Sequence, residues 1–238
     1  MKLSRSTLET HPFVLNWASL KNLHSSVSAR FSQVYISAKC ADKLDREFAS
    51  LQELEEFGNP SRAAIQELTI TGRELERDQR FSISLCNHRK LNVRISLDAD
   101  EENATVLNDL ATDSVESLRP WYSWVARADW YWLVLGGWLG TQFVLIALKL
   151  ALAGDKVVTF SGGGPMNARE LLEFTFIGFV PVAVGIALNL VRDKFFPIGT
   201  FSIGQGENRH SSAEVIRTVL IAGLAVSIVT SVALSWFS

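Results

Sequence analysis

Two kinds of hydrophobic periodicity divide the chain. Between residues 31 and 97 apolar positions alternate with polar ones. Val34, Ile36, Ala38 and Cys40 alternate with Gln33, Tyr35, Ser37 and Lys39. Leu44 and Phe48 follow a short Ala41-Asp42-Lys43 turn, which reads as a hairpin. Leu68 and Ile70, then Phe81, Ile83 and Leu85, then Leu91, Val93, Ile95 and Leu97 repeat the pattern. A period of two places one face of each strand in a core and the other in water.

Two helices punctuate these strands. Ser50 with Glu53 three residues on is a capping-box spacing, and Gly58-Asn59-Pro60 closes the helix it opens. After Leu97 an acidic run, Asp98 to Glu102, leads into a helix over about 103–118, striped by Leu107, Leu110, Ala111, Val115 and Leu118. A further short helix over 12–23 would align Phe13, Trp17 and Leu20. The order strand, strand, helix, three strands, helix predicts an α+β N-terminal domain, residues 1–118, with a mainly antiparallel sheet and helices on one face.

Beyond residue 118 the pattern changes. Residues 1–118 carry 14 of the 23 Lys and Arg and 18 of the 25 Asp and Glu, leaving 9 and 7 for the second half. There, Trp130–Leu148, Phe174–Val191 and Thr218–Ser238 hold no charged residue. A bilayer core about 30 Å thick asks for roughly 20 apolar helical residues. The expectation is a three-helix transmembrane region: helices at 130–152, 171–191 and 215–237, preceded by an aromatic interfacial segment at 119–129 and interrupted by a cytoplasmic Phe/Gly-rich loop at 192–214. Trp121, Tyr122, Trp124, Trp130, Trp132 and Trp236 read as interfacial anchors. Arg119 and Arg127 before the first helix, with Arg192, Lys194, Arg209 and Arg217 after the second, outnumber Lys149, Lys156 and Arg169 between them. That balance predicts a multi-pass membrane protein, N-terminus cytoplasmic and C-terminus extracytoplasmic.

Small residues mark faces where helices approach closely. Gly136 with Gly140, Gly178 with Gly185, and Gly223, Ser227, Ser231 and Ser235 form such ridges, for packing within the chain or for oligomerisation. Lys149 and Glu173 fall at similar depth, either paired or reaching for the interface. Phe195, Phe196, Phe201 and Ile203 are too apolar for a free loop. That loop folds back on a membrane, docks on the N-terminal domain, or holds a ligand through Gly204, Gly206 and Arg209. In the 154–170 segment, the glycine run before Pro165 lacks the Lys-Ser/Thr of a phosphate loop.

No catalytic constellation stands out. Four histidines are scattered, and Cys40 and Cys86 match no metal or redox spacing; the cysteines read as buried apolar groups, the alternative being a metal held by Cys86 and His88 on one strand face together with Cys40. The net charge of -2 leaves no broad basic footprint for nucleic acid. The sequence therefore predicts no enzyme, no cofactor and no nucleic acid. Its expected partners are a lipid bilayer, further copies in a homo-oligomer, and an unidentified cytoplasmic protein. The expected function is an integral membrane protein whose cytoplasmic binding module serves as anchor, scaffold or signal relay. The alternative is a subunit of a small oligomeric pore gated by that domain.

Overall fold

The computed structural model describes residues 2–76, 78–88, 92–153 and 168–237. It is α+β with an antiparallel main sheet and, among the described residues, seven α-helices. In chain order the elements are β1 (Lys2–Glu9), β2 (Phe13–Asn16), α1 (Trp17–Ser28), β3 (Gln33–Cys40), β4 (Asp45–Phe48), α2 (Leu51–Phe57), β5 (Ile65–Glu74), β6 (Gln79–Cys86), β7 (Val93–Asp100), α3 (Glu101–Ser117), α4 (Ser123–Arg127), α5 (Trp130–Ala153), α6 (Ala168–Phe195), β8 (Gly199–Ser202) and α7 (Gln205–Phe237). Two compact units result, one from 1–126 with 195–238, the other from 127–194.

In the first unit the six-stranded sheet runs β1-β7-β6-β5-β3-β4, every neighbour antiparallel. Its register aligns Ile36, Ile70, Ile83 and Ile95 in one row, and Ala38, Leu68, Leu85 and Val93 in the next. All eight are buried, so a slip by one residue would turn the whole apolar set to water. Leu20, Leu23 and Val27 of α1 and Leu107, Ala111 and Val115 of α3 join the same core. The opposite face is polar, with Thr69 hydrogen-bonded to Ser84 at 2.8 Å.

The hairpin of β3 and β4 forms as expected, with Lys43 in the left-handed region. The capping box at α2 is made: Glu53 N donates to Ser50 Oγ at 3.2 Å, and Ala49 N to Glu53 Oε2 at 2.7 Å. The first helix starts later than its apolar stripe suggests. Phe13 and Leu15 instead alternate inward on β2, and Asn16 caps the helix by accepting from Ser19 N at 2.8 Å.

The expected three-helix transmembrane region is corrected. The segments 130–152, 171–191 and 215–237 are helical, within α5, α6 and α7, but among the described residues no helix is long and apolar enough to cross a membrane. Trp130, Tyr131, Trp132, Gly136, Gly137, Trp138, Gly140, Thr141 and Gln142 dilute the first half of α5. α6 contains Pro181 and ends on Asn189, Arg192, Asp193 and Lys194, while α7 opens through Glu207, Arg209, His210, Glu214 and Arg217. With the spans go the multi-pass placement, its cytoplasmic and extracytoplasmic termini, the anchor, scaffold or relay function built on them, and the gated-pore alternative. Two charges counted for that orientation are interior groups: Arg192 is 2 % exposed and Arg217 is 1 % exposed.

Candidate functional site

The segment after α6 is built into the first unit. β8 pairs in parallel with β2, and Phe13 N donates to Ile198 O at 2.8 Å. The Phe13 ring meets Phe201 edge-on at 5.5 Å, and Phe201 and Ile203 enter the core. Opposite them, Gly58 and Asn59 both adopt positive φ, 64° and 48°. The buried Asn59 amide donates to Phe201 O at 3.3 Å and to Ile203 O at 3.2 Å, and accepts from Ile65 N at 2.8 Å.

Of the three loop residues singled out for a ligand, all are engaged here. Arg209 Nη2 donates to Asn59 O at 3.0 Å. Gly206 lies against Phe201 O and the Asn59 amide. Gly204 has φ +54°, and a Cβ there would stand 2.4 Å from Gly58 O. Gly204→Ala therefore meets both a left-handed backbone and a backbone wall. Thermal or urea unfolding should show a loss of about 1–3 kcal/mol; an unchanged midpoint would refute this packing.

Behind this latch lies a polar cluster that the sequence did not announce. Arg217 on α7 is buried, its guanidinium 4.4 Å from the Tyr122 ring centre, and its Nε donates to Phe195 O. Tyr122, expected as an interfacial anchor, is 1 % exposed and touches Phe196 edge-on at 5.7 Å. Burial pushes its phenol pKa up, while the Arg217 charge and the facing Thr200 hydroxyl pull it down. Burial holds the His210 imidazole below its usual pKa, and Arg217 adds to that; Glu214, 3.7 Å from His210 Nε2, opposes it. Tyr122 Oη and Thr200 Oγ1 face each other in this cluster, while two further buried atoms, His210 Nδ1 and Arg217 Nη1, have no hydrogen-bond partner. Their only sequence signal was Arg217 itself, a charge beside an apolar run.

Elsewhere the predicted site residues scatter. Gly185 packs against Tyr131, where a Cβ would approach the Tyr131 Cα to 2.9 Å. Gly136, Gly140 and Gly223 face open space. The side chains of Lys149, Glu173, Ser231, Ser235 and Trp236, the packing of Gly178, and the whole of 154–167 lie outside the described residues. Ser227 is exposed on α7. Trp121, Trp124 and Trp132 are 53, 63 and 65 % exposed, and Trp130 is half-buried.

Among the described residues, no group of three or more His, Cys, Asp or Glu is placed to hold a metal ion. Cys40 is buried on β3, and burial raises the thiol pKa of both Cys40 and Cys86. Ser28 Oγ and His24 Nδ1 stand 3.4 Å apart one turn along α1, and among the described residues no carboxylate is paired with His24 to orient the imidazole. A cleft of about 440 Å³ is lined by Arg30, Phe31, Glu74, Glu76, Gln79, Asn103 and Leu107. Two of its polar groups are engaged within the fold: Glu74 accepts from Ser32 N at 3.1 Å, and Gln79 donates to Asp100 at 3.0 Å.

Large apolar side chains stand exposed on three helices, α5 and α6 of the second unit and α7 of the first. On α5, Trp132, Leu133, Leu139, Phe143, Val144, Leu145 and Leu148 are all exposed. At about 100° per residue they cover more than half the helix circumference. Phe179, Val180, Val184, Ile186, Leu188 and Leu190 spread similarly widely round α6, whereas Val215, Ile216, Val219, Leu220 and Val226 keep to one side of α7. No protein family, curated protein or solved structure matches this chain.

Proposed function

We propose that the chain is a non-enzymatic protein that works in contact with a lipid surface, using the exposed apolar sides of α5 and α6. One observation carries the reading: apolar side chains occupy more than half the circumference of α5 and stand exposed. A folded partner recognises a stripe, because its own surface is rigid. A fluid hydrocarbon boundary wets an arc of any width. The exposed Trp121, Trp124 and Trp132 fit the same partner, since indole rings favour the boundary between headgroup and chain. No helix need cross the bilayer for such contact.

Flotation tests this. The full-length chain is mixed with phosphatidylcholine vesicles and centrifuged through a density gradient. We expect it to rise with the vesicles and to remain bound at 1 M salt, because the contact is apolar rather than ionic. Leu133→Glu with Phe143→Glu, at exposed positions, should cut the floating fraction severalfold while leaving the fold intact. Protein that stays at the bottom of the gradient would overturn the reading. If it stays there as a discrete oligomer, the apolar surface is buried against further copies of the chain instead.

A further inference from the structure

Charges of both signs line the cleft of about 440 Å³ without cancelling one another. Its walls come from three places in the first unit: the turn after α1, the β5–β6 hairpin and the start of α3. The hairpin supplies two carboxylates. Glu74 is held by Ser32, whose N–H donates to Oε2 at 3.1 Å and whose hydroxyl donates to Oε1 at 3.2 Å. Glu76 is exposed. The turn after α1 supplies the exposed Arg30 guanidinium. Among the described residues neither the Arg30 nor the Glu76 side chain has a hydrogen bond or an ion pair, so both charges stand open. Asn103, in the first turn of α3, adds an amide near the positive end of the helix dipole. Asp100 leaves that helix end without a side-chain cap, because its carboxylate accepts from Gln79 Nε2 at 3.0 Å.

This lining selects by charge. The volume lies within the roughly 300–1,000 Å³ of pockets that take small ligands. A simple anion entering the cleft meets two carboxylates, and a simple cation meets Arg30. An uncharged solute gains from neither pole. A solute carrying one ammonium and one carboxylate answers both. Its ammonium donates to Glu74 and Glu76, and its carboxylate accepts from the Arg30 fork. Asn103 donates or accepts beside either group. Phe31 and Leu107, 5 and 4 % exposed, back the cleft with apolar surface for an aliphatic body. We propose that this cleft is a binding site for a small zwitterion of the free amino acid class. The inference is independent of the lipid reading, because it concerns the first unit and not the apolar sides of α5 and α6.

The test is the thermal midpoint of the full-length chain with the standard L-amino acids, offered one at a time at constant pH and ionic strength. A saturable rise in Tm with one or a few of them is expected. For each that responds, the N-acetyl derivative, which lacks the ammonium, and the carboxamide, which lacks the carboxylate, should give no rise. Arg30→Gln and Glu76→Gln remove one pole each at exposed positions, so the unliganded midpoint should hold. Each should raise the half-saturating concentration by about tenfold or more, as losing a hydrogen bond to a charged group does. If one variant fails to fold, the other and the two derivatives decide. A carboxamide that stabilises as well as its parent makes the cleft a cation site and overturns the proposal. So does a response unaltered in Arg30→Gln or in Glu76→Gln, which places binding elsewhere. No rise with any amino acid overturns it too and leaves a solvated groove.

Discussion

Cut after Ala126, the chain will not hold its N-terminal fold at the stability of the intact protein. The fragment retains all six strands of the main sheet with α1 to α3, and so looks complete by its sequence. It lacks β8. Without that strand β2 has no partner, and Phe13 and Leu15, both 0 % exposed, lose part of their cover. Phe201 and Ile203 leave the core, and the Asn59 amide loses both carbonyls to which it donates. Uncovering a large apolar side chain costs about 1.5–3 kcal/mol, and several such losses rival the 5–15 kcal/mol that holds a typical domain together. The expected result is a fragment 1–126 that melts well below the full chain, or aggregates through the exposed edge and face of β2. Adding a peptide of residues 195–214 in trans should raise the midpoint. A fragment that unfolds in one sharp step at the full-length midpoint would show that β8 is an ornament.

This dependence explains which parts of the fold were legible. β3 to β7 were readable because each strand announces itself locally by alternation, and their short links leave few pairings open. α2 was readable from Ser50 and Glu53 alone. β2 and β8 were not, although Phe13 with Leu15 and Phe201 with Ile203 alternate as strand residues do. Four residues form a strand only when a partner is at hand, and here the partner lies across most of the chain. The apolarity of the 192–214 loop was visible, but its cause, burial against Gly58 and Asn59, was one of three readings and nothing local separated them.

The polar cluster stayed hidden for a related reason. Arg192 and Arg217 border apolar runs, and a charge in that position ordinarily marks where a helix reaches water. Both are instead interior. Arg192 pairs with Asp193 at 2.9 Å and donates to Ala128 O, while Arg217 reaches Phe195 O. What a long cationic side chain does depends on acceptors that folding brings to it, and sequence spacing does not show those. The transmembrane expectation failed on a different point: it weighed missing charges, whereas among the described residues no helix is both long and apolar enough to cross a membrane.

Asn59→Asp should be among the most damaging single substitutions in the protein. The change is nearly isosteric, so packing is preserved and the loss isolates hydrogen-bond polarity. Asn59 uses one amide nitrogen for two carbonyls, Phe201 O and Ile203 O, and its oxygen for Ile65 N. A carboxylate keeps only the last of these and sets its second oxygen against the lone pairs of both carbonyls. It does so at 1 % exposure, where removing a buried polar partner or stranding a charge costs about 3–5 kcal/mol. The pH dependence supplies the control. Burial and facing carbonyls raise the folded-state pKa of the introduced acid above its unfolded value of about 3.9. The folded variant thus binds its proton more tightly than the unfolded one, so its deficit against the parent is largest at neutral pH and shrinks as pH falls toward about 4. Protonated, the group can again donate to one of the two carbonyls. Paired urea titrations of parent and variant at pH 7 and pH 4.5 read this directly. A deficit that is small at pH 7, or the same at both pH values, would mean that Asn59 does not clamp the β8 segment through its amide.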